Sequence, residues 1–415
     1  MPPLTRQRTP QSLHSEWSRS SLGATISIHA LAKPLMKVMY HSAVLNLIKG
    51  QQGIPLSAET MEIYESYLSW KYVAETTKTL ILREIYRRAL VEGEAHVVSD
   101  FVLSYDGLLE STNVAVRRWA TWVLAWFAFH SSTREAVVAV QPCVRLSVAL
   151  LKCVFEQFSA ISPFQSVFSG GTHPDVIQGA CYALYGISLD LDGARVVVEA
   201  GALEYFTELL ESQDTEVQKH ACRNLGQVAS YSSTRRAVIA AKPCARLVAL
   251  LDGGNVDIFG GALYALIQIS RDLDGAKAVL EAGALELLSR LLESYDPRIR
   301  RDCCWTLAWL ASYSLTRGAV IAAEPCARLV ALLGDGHVDV IDGACFALLQ
   351  IFSSPDGARA VVAVGMLDFI PELLESANTD VRRWAACIVT KLALHPSRRG
   401  VVPVQLPTHL VALLE

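Results

Sequence analysis

A chain of 415 residues, 52% hydrophobic and 19% charged, is too apolar for disorder throughout and long enough for two or three ordinary domains. Its 37 Lys and Arg against 41 Asp and Glu leave a formal net charge of -4, which argues against a nucleic-acid phosphate backbone or an anionic membrane as the organising partner. The densest apolar run, Trp119 to Phe129, falls well short of the roughly 18 apolar residues of a membrane span, so no transmembrane helix is expected. The N-terminus has no apolar stretch after its arginines, and Pro2 stands where myristoylation needs glycine, so neither a secretory leader nor that anchor is expected. Ten cysteines without C-x-x-C spacing read as the reduced thiols of a cytoplasmic chain, with the nucleus left open.

In chain order, residues 1–21 are rich in Ser, Thr, Pro and Arg and read as a disordered tail. Residues 22–92 carry helical periodicity from Ile26 to Leu47 and from Ala58 to Val91. Tyr64, Tyr67, Leu68, Tyr72, Leu80, Ile81 and Ile85 suit a buried stripe there, and the segment is expected to cap the remainder of the chain.

From residue 93 onward the chain repeats itself. The segment Thr234 to Leu251 returns 82 residues later as Thr316 to Leu333, with Pro243 matching Pro325 and Cys244 matching Cys326. Thr133 to Leu150 is an earlier copy and Arg398 to Leu414 a later one. Within each 82 lies a half-period of 41. Each unit reads as three helices. In the unit opening at Asp274, a short helix stops at Gly283, a second runs from Ala284 to Glu293, and a third begins at Asp296-Pro297 and continues to Ser312. Thr215-Glu-Val-Gln218 reads as a capping box. Alternate units replace the glycine stop with Lys242-Pro243 or Glu324-Pro325. A 19-residue insertion at 152–170 brings Phe155, Phe158, Phe164 and Phe168 between a second and a third helix, either folded over a neighbouring repeat or offered to a partner. Residues 398–415 supply an incomplete last repeat.

The run from Arg195 to Ser212, followed by Glu216 to Ala229, resembles the armadillo repeat, and the resemblance extends over Val91 to Glu415. It implies an all-α, right-handed superhelical solenoid of about seven three-helix repeats of 41 residues whose third helices line a concave groove. In importin-α-like members a Trp, and an Asn four residues later, point into that groove. Here the tryptophan position holds Trp122, Tyr182, Arg223, Tyr264, Trp305, Phe346 and Cys387. The asparagine position holds Trp126, Gly186, Gln227, Gln268, Trp309, Gln350 and Lys391. The absence of asparagine departs from the cargo-receptor pattern. The aromatics either flank the side chains of an extended peptide or pack between adjacent third helices.

A basic stripe, Arg117-Arg118, Lys219, Arg300-Arg301 and Arg382-Arg383, opens alternate third helices and reads as a solvated face, with Asp175, Asp257, Asp339 and Asp342 intervening. Ser270-x-Asp272-x-Asp274-Gly275 with Glu281, and its copy from Ser188 to Glu199, imitate a calcium loop but read as linkers between repeats. Cys143, Cys244 and Cys326, and likewise Cys181 and Cys345, recur with the repeat and suit buried positions. No motif assembles an active site, a metal site or a cofactor site. The expected function is a non-enzymatic scaffold binding another protein or peptide along the third-helix groove, with membrane contact only through a partner. The alternative is a cargo or membrane-transport adaptor that recognises linear peptides.

Overall fold

The computed structural model describes residues 27–52, 57–90, 107–140, 142, 146 and 174–394. The expected tail at 1–21, the insertion at 152–170 and the incomplete repeat at 398–415 lie outside these residues. The chain divides into two compact units, Met1–His220 and Ala221–Glu415. Every regular element among the described residues is helical.

In the first unit, α1 (Ser27–Gly50), α2 (Ala58–Ser69) and α3 (Glu75–Ala89) precede α4 (Val114–Phe129), α5 (Ser131–Val140), α6 (Pro174–Ile187), α7 (Leu191–Glu199) and α8 (Ala202–Leu209). The periodicity expected from Ala58 to Val91 is broken at Trp70 to Ala74, between α2 and α3. Tyr64, Tyr67, Leu68, Ile81 and Ile85 are buried. Tyr72 and Leu80 stay half-exposed. Helix α3 packs on α4 and α4 on α6. At the base of α3, Glu84 accepts from Arg87 and from Arg88 Nε, the latter at 2.9 Å. Burial alone would raise the Glu84 pKa, but those hydrogen bonds hold it below the ordinary carboxylate range.

The chain crosses from the first unit to the second within α9 (Thr215–Ser230). Beyond it come α10 (Ser232–Ala240), α11 (Cys244–Asp252), α12 (Val256–Ser270), α13 (Leu273–Glu281), α14 (Ala284–Leu291), α15 (Pro297–Ser312), α16 (Ser314–Ala322), α17 (Cys326–Ala331), α18 (Val338–Ile351), α19 (Pro355–Ala363), α20 (Ile370–Leu374) and α21 (Thr379–Leu394). The third helices α6, α9, α12, α15, α18 and α21 begin 41 residues apart. In the second unit α12 packs on α15, α15 on α18 and α18 on α21. Leu247, Leu263, Leu266, Leu307, Leu310 and Phe352 are buried there. A helix of this length cannot cover its apolar face alone, so neighbours bury it in turn.

Three local devices repeat with the period. First, the chain enters each third helix through an oxygen cap. Asp296 Oδ1 accepts from Arg298 N with Pro297 at the first helical position, as expected. The capping box expected at Thr215 is corrected. Asp214 Oδ1 caps α9, accepting from Glu216 N and Val217 N, and Gln218 Nε2 donates instead to Leu210 O. A carboxylate one residue earlier is the better acceptor for the helix's unpaired amides.

Second, residues 201, 242, 283, 324 and 365, each 41 apart, all adopt left-handed backbone between first and second helices. Three are glycines. Lys242 and Glu324 hold the same conformation at φ 54° and 51°, so the alternate units change the residue and keep the turn.

Third, two chemistries alternate at the ends of the third helices. At one kind of junction Thr133, Thr234 and Thr316 donate to Phe127 O, Val228 O and Leu310 O. The following residues Arg134, Arg235 and Arg317 donate through Nε to Ala128 O, Ala229 O and Ala311 O. The terminal carbonyls are thereby satisfied by side chains. At the other kind a glycine abuts the preceding helix. A Cβ on Gly193, Gly275 or Gly357 would lie 1.9, 2.1 or 1.9 Å from Ile187 O, Ile269 O or Ile351 O. The calcium-like Asp-x-Asp-Gly segments are these glycine junctions: Asp190 accepts from Gly193 N and Asp272 from Asp274 N as helix caps.

Candidate functional site

The residues at the tryptophan and asparagine positions all lie on third helices, at i and i+4 of one face. In the first unit the Trp122 ring sits 5.8 Å from Tyr182, and Tyr86 of α3 approaches Trp122 at 6.4 Å and Trp119 at 5.6 Å. Trp126 Nε1 donates to Ala89 O at 2.6 Å, and its ring meets His130 edge-on at 4.7 Å. Tyr182 stacks on Phe129 at 4.4 Å and meets His220 at 5.4 Å. Two glycines make this approach: a Cβ on Gly179 would lie 2.5 Å from Thr121 Oγ1, and one on Gly186 3.1 Å from Phe129 Cδ2. Glycine at the asparagine position 186 is thus a seat for a neighbouring helix.

In the second unit Tyr264 donates to Gln227 Oε1 at 3.2 Å, and Gln227 Nε2 donates to Tyr231 Oη at 3.4 Å. Trp305, Phe346 and Trp384 form a continuous row, with centroids 5.0 and 4.8 Å apart on α15, α18 and α21, and Trp309 meets Phe346 at 5.7 Å. Trp305 also lies against Gly343, whose added Cβ would be 3.4 Å from Trp305 Cδ1. Gln268 accepts from Arg271, whose guanidinium lies 5.3 Å from the Trp309 ring, and Lys391 donates to Ser353 Oγ. Phe346 and Gln227 are buried, whereas Trp122, Trp126, Tyr182, Tyr264, Gln268, Trp305, Trp309, Gln350 and Lys391 are half-buried and Arg223 is exposed. The aromatics therefore pack between helices along one edge and keep another edge at the surface. Sequence reasoning missed Tyr86, Trp119, Phe129, His220 and Trp384. The two tryptophans among them lie three residues before the tryptophan column, the spacing of a helical turn.

The basic stripe divides into two columns. Arg117, Arg300 and Arg382 donate to the carbonyls of Ser111, Ser294 and Ser376, closing the turn before each third helix. Arg300 also pairs with Asp335 at 2.7 Å, both largely buried. The second column stays nearer the surface. Arg118 pairs with Asp175 at 2.9 Å, Lys219 with Glu216 at 2.8 Å, Arg301 with Asp302 at 2.7 Å and Arg383 with Asp380 at 3.0 Å. Burial of Asp302 raises its pKa despite the Arg301 charge and hydrogen bond.

A cleft of about 650 Å³ in the first unit is lined by His41, Leu45, Leu80, Arg83, Asn113, Arg118 and Trp119 among others. Among the described residues no group of His, Cys, Asp and Glu is placed to hold a metal ion, and no helix is long and apolar enough to cross a membrane. Burial pushes the recurring thiols up, Cys244 and Cys326 to about 11 and Cys345 to about 12. They are poor thiolates and fill space in the core.

The armadillo/beta-catenin-like repeat family matches residues 192–230 and 274–312. Importin subunit alpha-1b of Oryza sativa subsp. japonica is 30% identical over 188 residues, 44% of this chain and 35% of that protein. The chain thus spans about 35% of the length of that curated relative. The solved structure of an engineered protein superposes with a TM-score of 0.74 at 25% identity, covering 86% of this chain and 84% of that one. A designed armadillo repeat protein in complex with the peptide (KR)4 superposes with a TM-score of 0.52 at 25% identity, covering 59% and 98%.

Proposed function

This chain is an armadillo-repeat protein, an all-helical solenoid by class and similar to importin alpha subunits, and on that premise we propose that it is a non-enzymatic scaffold that binds another protein or peptide along its third helices. One observation carries this reading above all. The Trp305, Phe346 and Trp384 row joins three successive third helices while Trp305 and Trp309 keep part of their surface in solvent, with the half-buried Gln268 and Gln350 on the third helices to either side of α15. Pre-ordered aromatic rings offer contact area at low entropic cost, and an amide can donate to and accept from an extended backbone. Arg223, Tyr264 and Lys391 extend the same surface within the second unit, and buried Gln227 holds the Tyr264 hydroxyl. Trp122, Trp126 and Tyr182 supply its counterpart in the first.

The designed repeat protein bound to (KR)4 and the resemblance to importin alpha favour a second reading, an adaptor that recognises linear cargo peptides. Trp, Gly and Gln at the asparagine positions speak against an unchanged cargo mode. The eight cysteines that stand as free thiols among the described residues suit the cytoplasm or nucleus.

Capture of partners from the native cell by wild-type protein and by Trp309→Ala and Trp305→Ala variants tests the surface. A partner bound there is expected to lose about 2 kcal/mol or more of affinity with Trp309→Ala, with the variant's melting little changed. Trp305→Ala is expected to lower both affinity and melting, because that ring also seats on Gly343. Equal capture by both variants would move the binding surface elsewhere.

A further inference from the structure

In the columns at i, i+4 and i+8 of the second unit's third helices, the charged positions are mostly cationic. Arg223, Arg301, Arg383 and Lys391 stand in them, and Arg271 closes over Trp309 from the end of α12. Asp342 is the acid in these columns, and its Oδ1 accepts from Trp384 Nε1 at 2.8 Å. Asp257 and Asp339 lie one turn nearer the helix starts, while Asp302 and Asp380 pair with Arg301 and Arg383.

A basic ligand would need the aromatic faces for its own cations, yet the Trp384 ring already carries Arg383 at 4.1 Å and the Trp309 ring Arg271 at 5.3 Å. These are cation positions filled from within the chain. By contrast, Arg223 is exposed and has no hydrogen-bond or ion-pair partner among the described residues. On α12, between the helices that carry Arg223 and Arg301, exposed Gly260 stands in register with Arg301 and one turn from the level of Arg223, and an added Cβ there would meet nothing within 4 Å. The helix that carries Tyr264 therefore leaves an open space between the unpaired Arg223 and Arg301, whose Nε and Nη2 hold Asp302 Oδ1 and whose remaining donors are left for a second carboxylate.

We propose that this surface takes an acidic peptide segment, with carboxylates at Arg223 and Arg301 and an apolar residue between them against Tyr264. The assignment rests on the third-helix binding surface proposed above and names the chemistry of its partner. Two helix spacings of about 8–10 Å and one helical turn of about 5.4 Å separate the arginines, and an extended chain rises about 3.3 Å per residue, so acidic residues about five or six apart fit.

Fluorescence anisotropy with labelled (DE)4 and (KR)4 peptides, at low and physiological salt, tests the proposal on the full chain. The (DE)4 peptide is expected to bind at least about tenfold tighter than (KR)4 and to weaken as salt rises. Arg223→Glu and Gly260→Glu should each reduce (DE)4 affinity about tenfold without lowering the melting temperature, because Arg223 is exposed and a Cβ at Gly260 meets nothing within 4 Å. Tighter binding of (KR)4, or unchanged (DE)4 binding in both variants, overturns the acidic assignment. If (KR)4 binds and Trp309→Ala loses it, the surface stands and only its partner chemistry falls. If neither peptide binds, both fall.

Discussion

The phenol of Tyr264 donates to Gln227 Oε1 at 3.2 Å, linking side chains 37 residues apart on successive third helices. The link depends on a glycine one residue before the acceptor. A Cβ on Gly226 would lie 2.4 Å from Tyr264 Cδ1 and 3.1 Å from the Ala265 backbone. Gly226→Ala is therefore expected to cost about 1–3 kcal/mol by overpacking, exceeding the gain of up to about 1 kcal/mol that alanine brings to a helix interior. Tyr264→Phe should lose only about 1 kcal/mol with its hydrogen bond. Urea unfolding followed by circular dichroism separates the two, and a Gly226→Ala variant as stable as wild type would show that the ring does not sit there.

The left-handed turn at 41-residue intervals predicts opposite signs for similar substitutions. Lys242 and Glu324 accept a conformation that costs an L-residue about 1–2 kcal/mol, and each precedes a proline that restricts it further. Lys242→Gly and Glu324→Gly should each stabilise by about 0.5–1 kcal/mol after the extra unfolded-state freedom of glycine is counted. Gly283→Ala should destabilise by about 1 kcal/mol. Denaturation midpoints at constant slope check all three. The same sign for Lys242→Gly and Gly283→Ala would contradict the turn.

At the glycine junctions Gly275→Ala is expected to cost more than about 2 kcal/mol, since the colliding atom is the Ile269 carbonyl and not a movable side-chain tip. Calcium should leave the melting temperature unchanged, because Asp272 is engaged as a cap for Asp274 N. At the other junction type, Thr316→Val removes the donor to Leu310 O and should cost about 1–3 kcal/mol. Differential scanning calorimetry with and without calcium reads each effect. A calcium-dependent rise of several degrees would reinstate a cation site.

The buried thiols set an alkaline limit. Cys244 and Cys326 are raised from 9.0 to about 11, and Cys222 and Cys345 to about 12, with burial the leading cause in each. A group whose folded pKa is raised contributes fully below the unfolded pKa of 9.0, and that stability is lost as pH rises through the folded values. Melting temperature should therefore fall between pH 9 and about 12, and alkylation of these cysteines should track unfolding. Rapid alkylation of Cys244 in folded protein at neutral pH would refute their burial.

Period, helix class and the starts of the third helices were legible in the sequence because they depend on spacing and local chemistry. Asp296-Pro297 caps α15 whatever surrounds it, and the 41-residue step is carried by residue identity alone. The cap of α9 was misplaced by one residue because Asp214 and Thr215 are both good acceptors, and only the realised backbone shows which one stands outside the helix. That Lys242 keeps the left-handed turn of the glycines it replaces was hidden for a related reason. Neighbouring repeats demand one geometry, and stacking overrides the residue's own preference. Whether an aromatic packs or faces solvent was likewise beyond reach of spacing. Trp305 is seated by Gly343, a residue 38 positions away, and Tyr182 by Phe129, in another helix. Residue spacing was thus enough to assign which side chains share a helical face. How much of each ring its neighbours leave uncovered was settled by packing, because that exposure depends on contacts between helices far apart in the chain.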